Sequence, residues 1–207
     1  MFALQYPDYT AIILGFFLLV AFPVHEFCHA FAAWRLGDDT ARRQGYLTLN
    51  PIKHFNPIGG TMLILSTVLY GFPFGFAATP VNPARLRGRY GEAIVAVAGP
   101  LSNWITAIVL GLVLRYVYYN LDVPLRLLNL LELLTRTSLA LAIFNLIPVP
   151  PLDGGAILMS LLPSRTRLRV EPVFAQAGWL LFIVLIFFGG YVIGPVVDRL
   201  FLALIGI

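Results

Sequence analysis

His25, Glu26 and His29 fall within five consecutive residues of an apolar run that extends from Thr10 to about Leu36. No other feature constrains the fold as tightly. Ionisable groups in a stretch this apolar are costly to bury unless something compensates them. The fold must therefore bring polar partners, or a cation, to this stretch. Residues four apart on an α-helix lie about 40° apart around the axis, so His25 and His29 share one face, one above the other. Two imidazole nitrogens so placed can grip one metal ion. Glu26, one step around the cylinder, can reach a water beside it.

The whole chain has the character of that run. Of its 207 residues 59% are hydrophobic and 12% charged, and the mean hydropathy is +0.84. These values exclude an ordinary soluble domain and predict a single membrane-embedded domain over 1–207. No internal repeat is visible. The first ten residues lack the basic and small-residue pattern of a cleavable leader, so the first apolar run is expected to stay as an anchor. Cys28 is the single cysteine, which excludes an intrachain disulfide, and it points off the histidine face. Net charge is +4, but the basic residues flank apolar segments. That pattern points to a lipid bilayer and away from nucleic acid.

Thr10 to about Leu36 reads as a first span, with a kink expected at Pro23. Residues 41–50 alternate loosely and predict a short strand, and two Asn-Pro turns flank Lys53 and His54. Ile58 to Phe72 is apolar but short for a crossing, and it carries Gly59, Gly60 and Gly71. It is expected to re-enter the membrane without crossing. Gly91–Tyr118 and Leu125–Ile147 are spans, the second with Glu132 and Arg136 spaced to pair. Pro148, Pro150 and Pro151 force an extended segment before Asp153, and a short helix follows over Ala156–Leu162. Pro172–Phe188 is a further span. The stretch after Gly189-Gly190 suits either a last crossing or an interfacial helix. The expected class is an all-α polytopic membrane protein, a bundle of about five to six membrane helices with a short strand and re-entrant loop inserted.

Two histidines leave a catalytic zinc one protein ligand short. Asp153 is the best candidate, a lone carboxylate after the extended break, followed by glycines that permit close backbone approach. His54 is the fallback, although a structural hydrogen bond suits its turn-rich loop better. Asn145 and Asn103 are uncharged polar groups able to hydrogen-bond a peptide substrate. If Ile58–Phe72 does not cross, Arg35, Arg42, Arg43, Lys53, Arg85, Arg87, Arg89, Arg165, Arg167 and Arg169 share one side. The positive-inside rule makes that side cytoplasmic, and the same assumption draws His25, His29 and Asp153 towards one leaflet.

Three motifs in order, HEFCH (25–29), GPLSN (99–103) and NLIPVPPLDGG (145–155), resemble the site-2 protease family of intramembrane zinc metalloproteases. The loop LTLNPIKHFNPIGG also resembles a bacterial subgroup, and the similarity runs to about residue 160. The resemblance implies one Zn2+ per chain held by His25, His29 and Asp153, with Glu26 as the catalytic carboxylate. Asn145 would then fall at a substrate-contacting position. Asn56 and Ala78 depart from the subgroup pattern, where an acid and a lysine are expected. No stretch resembles the PDZ or CBS modules that some members carry. The expected activity is cleavage of transmembrane segments of other proteins near the cytoplasmic leaflet of the cell membrane. The alternative is a zinc-binding membrane transporter or sensor, for which a carboxylate beside the histidine pair is not needed.

Overall fold

The computed structural model describes residues 10–57, 59–61, 65 and 79–206, the side chains of Thr10 and Ile186 aside. Helix α1 (Thr10–Phe16) runs through a π-helical turn (Phe17–Ala21) into α2 (Phe22–Arg35). Proline explains the turn. Pro23 has no N–H, and its ring crowds the carbonyl four residues earlier, that of Leu19. Leu19 lies inside the π-turn, whose wider coil makes room for the ring. Gly37, with φ +106°, stops α2 in a conformation that side chains disfavour.

Next to it Asp38 is fully buried, and its two oxygens bind two segments. Oδ1 accepts from the Thr40 amide at 3.1 Å and from the Thr40 hydroxyl. Oδ2 accepts from the Asn82 amide at 2.6 Å. Burial by itself would raise its pKa, but the hydroxyl and the two amides outweigh it and hold the carboxyl below the usual range. A depressed folded value means that Asp38 stabilises the fold above its unfolded pKa. That contribution is lost as the pH falls through the folded value.

The strand predicted over residues 41–50 is not formed. Residues Thr40–Arg43 make a short helix, α3, which Gly45 ends at φ +79°. Loose alternation builds a strand only beside a partner strand, and none occurs among the described residues. An ion pair from Asp39 to Arg43 supports the helix instead. Asn50 then caps α4 (Pro51–His54) by accepting from the Ile52 amide at 3.0 Å. The expected re-entrant segment, 58–72, lies outside the described residues apart from 59–61 and 65. Further out along the chain on either side, the end of α2 and the stretch before Gly91 meet. The Arg87 amide donates to the Leu36 carbonyl at 2.8 Å, so the chain comes back to the end of the bundle that it left.

After a 3-10 turn (Pro83–Arg85) come α5 (Gly91–Asn120), α6 (Leu125–Asn145), α7 (Asp153–Leu161) and α8 (Ser164–Ile205). α5 is the central post, packed against α2, α6, α7 and α8. The main core joins Ala107 and Leu114 of α5, Leu139, Ala140 and Phe144 of α6, and Phe182, Ile193, Val197 and Phe201 of α8. Small residues let the helices close up, as at Gly111, where Leu204 fills the space a Cβ would take. Gly189-Gly190 does not interrupt α8, because Ile193 and Val197 just beyond it are packed into the core. Among the described residues five helical stretches are long and apolar enough to cross a membrane, and the last two, Ser164–Leu185 and Phe187–Ile205, are consecutive parts of α8. Ile105, Val109, Leu112 and Tyr116 of α5 and Leu180 and Ile183 of α8 face outward. The protein is an all-α polytopic membrane protein.

Candidate metal centre

α2 presents His25 and His29 from successive turns, as the i, i+4 spacing requires, with their Nε2 atoms 3.0 Å apart. Asp153 arrives from the other side, at the first residue of α7. Its Oδ2 lies 3.1 Å from His25 Nε2 and its Oδ1 lies 3.3 Å from His29 Nε2. All three residues are largely withdrawn from solvent. Ligands bonded to Zn2+ at about 2.0–2.1 Å with tetrahedral angles stand about 3.3 Å from one another. The observed separations fit that spacing.

The tautomers fit as well. His29 Nδ1 donates to the Val95 carbonyl at 2.7 Å, which leaves its Nε2 with a lone pair. The side-chain amide of Asn103 lies 3.1 Å from His25 Nδ1. With the amide turned so that its oxygen accepts from Nδ1–H, His25 Nε2 is freed in the same way. Two lone pairs and a carboxylate would then converge on one point and repel one another unless a cation lay between them. Asp153 Oδ2 is buried and has no hydrogen-bond donor aligned on it, as befits an oxygen aimed at a metal.

The sequence around Asp153 sets its position. A Cβ on Gly154 would lie 2.3 Å from the carbonyl oxygens of Leu146 and Ile147, and one on Gly155 would lie 2.7 Å from Pro150 N. Only glycines let the start of α7 fold back on the extended segment before it. Gly99 of α5 plays a comparable part at the histidines. A Cβ there would stand 2.3 Å from His29 Nε2 and 2.6 Å from His25 Nε2, in the space where a metal would bind.

The other candidates separate. Glu26 is 5% exposed, and its Oε2 accepts from the Thr79 hydroxyl at 2.7 Å. Asn145 is half-buried and donates through Nδ2 to the Leu141 carbonyl of its own helix at 3.0 Å. Asn103, read from sequence as a substrate contact, is 3% exposed and stands behind His25. His54 is not part of the cluster: its Nε2 donates to the Thr48 carbonyl at 2.8 Å, and its ring packs on Tyr46. Two neighbours escape sequence reasoning, the Val95 carbonyl and Thr79. A main-chain oxygen has no signature in sequence, and Thr79 is 53 residues from its partner.

Two imidazoles and a carboxylate, with a glutamate following the first histidine, make up the donor set of a zinc hydrolase, here set among membrane helices. Known proteins place the chain more closely. The pattern described as Peptidase family M50 matches residues 116–189. YwhC of Bacillus subtilis (strain 168), named zinc metalloprotease, is 35% identical over 94% of this chain and 90% of its own length. Rip2 of Mycolicibacterium smegmatis, named likewise, is 35% identical over 90% of this chain and 69% of its own. MJ0392 of Methanocaldococcus jannaschii, also named zinc metalloprotease, is 35% identical over 48% of this chain. No solved structure matches. The chain belongs to peptidase family M50, the site-2 protease family, and is a multi-pass membrane zinc metalloprotease.

Proposed function

We propose that the chain holds one Zn2+ on His25, His29 and Asp153 and cleaves transmembrane segments of other membrane proteins near the cytoplasmic leaflet. The observation that carries this reading is the convergence of two Nε2 atoms and the Asp153 carboxylate, separated by 3.0–3.3 Å, inside the bundle. Zinc there supplies Lewis acidity towards a peptide carbonyl and lowers the pKa of water. The chain's own groups do the rest. Glu26 takes a proton from the water as its oxygen adds to the peptide carbonyl carbon, then delivers that proton to the amide nitrogen, and the C–N bond breaks as the carbonyl re-forms. Val95 and Asn103 hold the two imidazoles in their metal-binding tautomers. Asn145 uses its Nδ2 within its own helix, which leaves Oδ1 to accept from a substrate amide.

The orientation follows from charge. Arg85 pairs with Asp39 just past the end of α2, and Arg167 of α8 pairs with Glu92 at the start of α5. The basic residues of both regions thus lie at one end of the bundle, and that end is cytoplasmic by the positive-inside rule. In a Cys28→Ala background, thiol probes at Asp39→Cys and Arg87→Cys should label from the cytoplasm, and one at Asp122→Cys from the far side. Labelling of Arg87→Cys only from outside would refute this orientation.

The metal assignment has its own test in the purified protein. Alanine at His25, His29 or Asp153 should each lower zinc from one per chain to below about a tenth, because a three-ligand site with one ligand gone binds far more weakly. Full metal retention in Asp153→Ala would remove it from the ligand set.

A further inference from the structure

The geometry points to Thr79 as a positioning residue for the Glu26 carboxylate, an inference that rests on Glu26 being the base. The Thr79 hydroxyl lies 2.7 Å from Glu26 Oε2 and 3.3 Å from the Glu26 main-chain carbonyl. Among the described residues no other side chain hydrogen-bonds this carboxylate. Glu26 is 5% exposed, and a buried carboxylate left without donors is strongly disfavoured. One hydroxyl therefore both satisfies the group and selects its rotamer. With Oε2 tied to Thr79, Oε1 is the oxygen left to receive a proton.

Thr79 is itself held in place. Three residues on, the Asn82 amide donates to the buried Asp38 at 2.6 Å, and five residues beyond that the Arg87 amide donates to the Leu36 carbonyl. The segment that carries the hydroxyl is thus pinned to the end of the helix that carries Glu26. A donor fixed in this way organises the base before substrate arrives, so its removal should weaken the chemical step more than substrate capture.

The experiment uses the zinc-loaded full chain, a transmembrane substrate that the wild type cleaves, and acetohydroxamic acid. The hydroxamic acid is a second probe because its proton passes to the base when it binds zinc, so its affinity reports on the carboxylate without turnover. Thr79→Val keeps the shape and removes the donor. It should lower kcat about ten- to a hundredfold with KM and zinc content unchanged, and weaken the hydroxamate about tenfold. Thr79→Ser keeps the donor and should restore both to within about threefold of wild type. In a Glu26→Gln background, Thr79→Val should not weaken the hydroxamate further. The proposal is overturned if Thr79→Val equals wild type in both readouts. It is also overturned if that variant loses zinc or if serine fails to rescue, since either result marks a purely structural role. A wild type that binds zinc but cleaves no substrate, with hydroxamate affinity indifferent to Glu26→Gln, would instead sink the peptidase reading itself.

Discussion

Glu26→Gln should keep one zinc per chain and lose about 10²–10⁴-fold in turnover, the range that a positioned general base contributes. The substitution is nearly isosteric, and its amide oxygen can still accept from Thr79, so the packing around a residue only 5% exposed survives. What disappears is the ability to take a proton from water. Metal analysis of the purified variant beside a cleavage assay separates the possibilities. Loss of zinc would make Glu26 a ligand. Undiminished cleavage would show that the base lies elsewhere. Unchanged zinc handling with no hydrolysis in the wild type either would favour the transporter or sensor reading.

Gly99→Ala should be as damaging although it removes no functional group. Its methyl would stand 2.3 Å and 2.6 Å from the two Nε2 atoms, where contacts under 3.0 Å force something to move. α5 cannot simply back away, because the Val95 carbonyl one turn earlier holds His29 Nδ1 at 2.7 Å. Either the methyl occupies the metal's space or the imidazole loses its acceptor, and zinc affinity should fall about a hundredfold. Gly190→Ala is the matched control, since a Cβ there meets nothing within 4 Å. Equal zinc affinity in the two alanine variants would refute this account of the GPLSN motif.

The centre was legible to the extent that it depends on spacing. Two histidines four apart on an apolar helix have to share a face, and a carboxylate after a proline-broken segment is free to leave its helix line. The structure brings His25, His29 and Asp153 together accordingly. Contacts made by main chain or across long separations were not legible. The Val95 carbonyl leaves no trace in a sequence pattern, and no local rule joins Thr79 to Glu26. Residues 41–50 misled because alternation alone does not supply a neighbouring strand, while Asp39 and Arg43 had a helical ion pair available. The stretch after Gly189-Gly190 reads from sequence as either a last crossing or an interfacial helix, and the burial of Ile193 and Val197 carries α8 through it as one helix whose part Phe187–Ile205 is long and apolar enough to cross.

That unbroken helix sets a mechanical limit on how the protein can sit in a bilayer. α8 has 42 residues, about 63 Å at 1.5 Å per residue, against a hydrocarbon layer about 30 Å thick. To fit wholly inside, it would have to lean about 60° from the normal, well past the tilts of roughly 0–40° that membrane helices adopt. Its far end is anchored, because Ile193, Val197 and Phe201 are locked in the core and Gly206 abuts Arg115. The surplus length must therefore emerge at the opposite end, where Arg165, Arg167 and Arg169 lie. Gly178 presses on the Pro150 ring, closer than a Cβ would allow, and Pro150 belongs to the segment that delivers Asp153. The protruding part of α8 thus bears, at a single proline, on the segment that carries Asp153 to the two histidines.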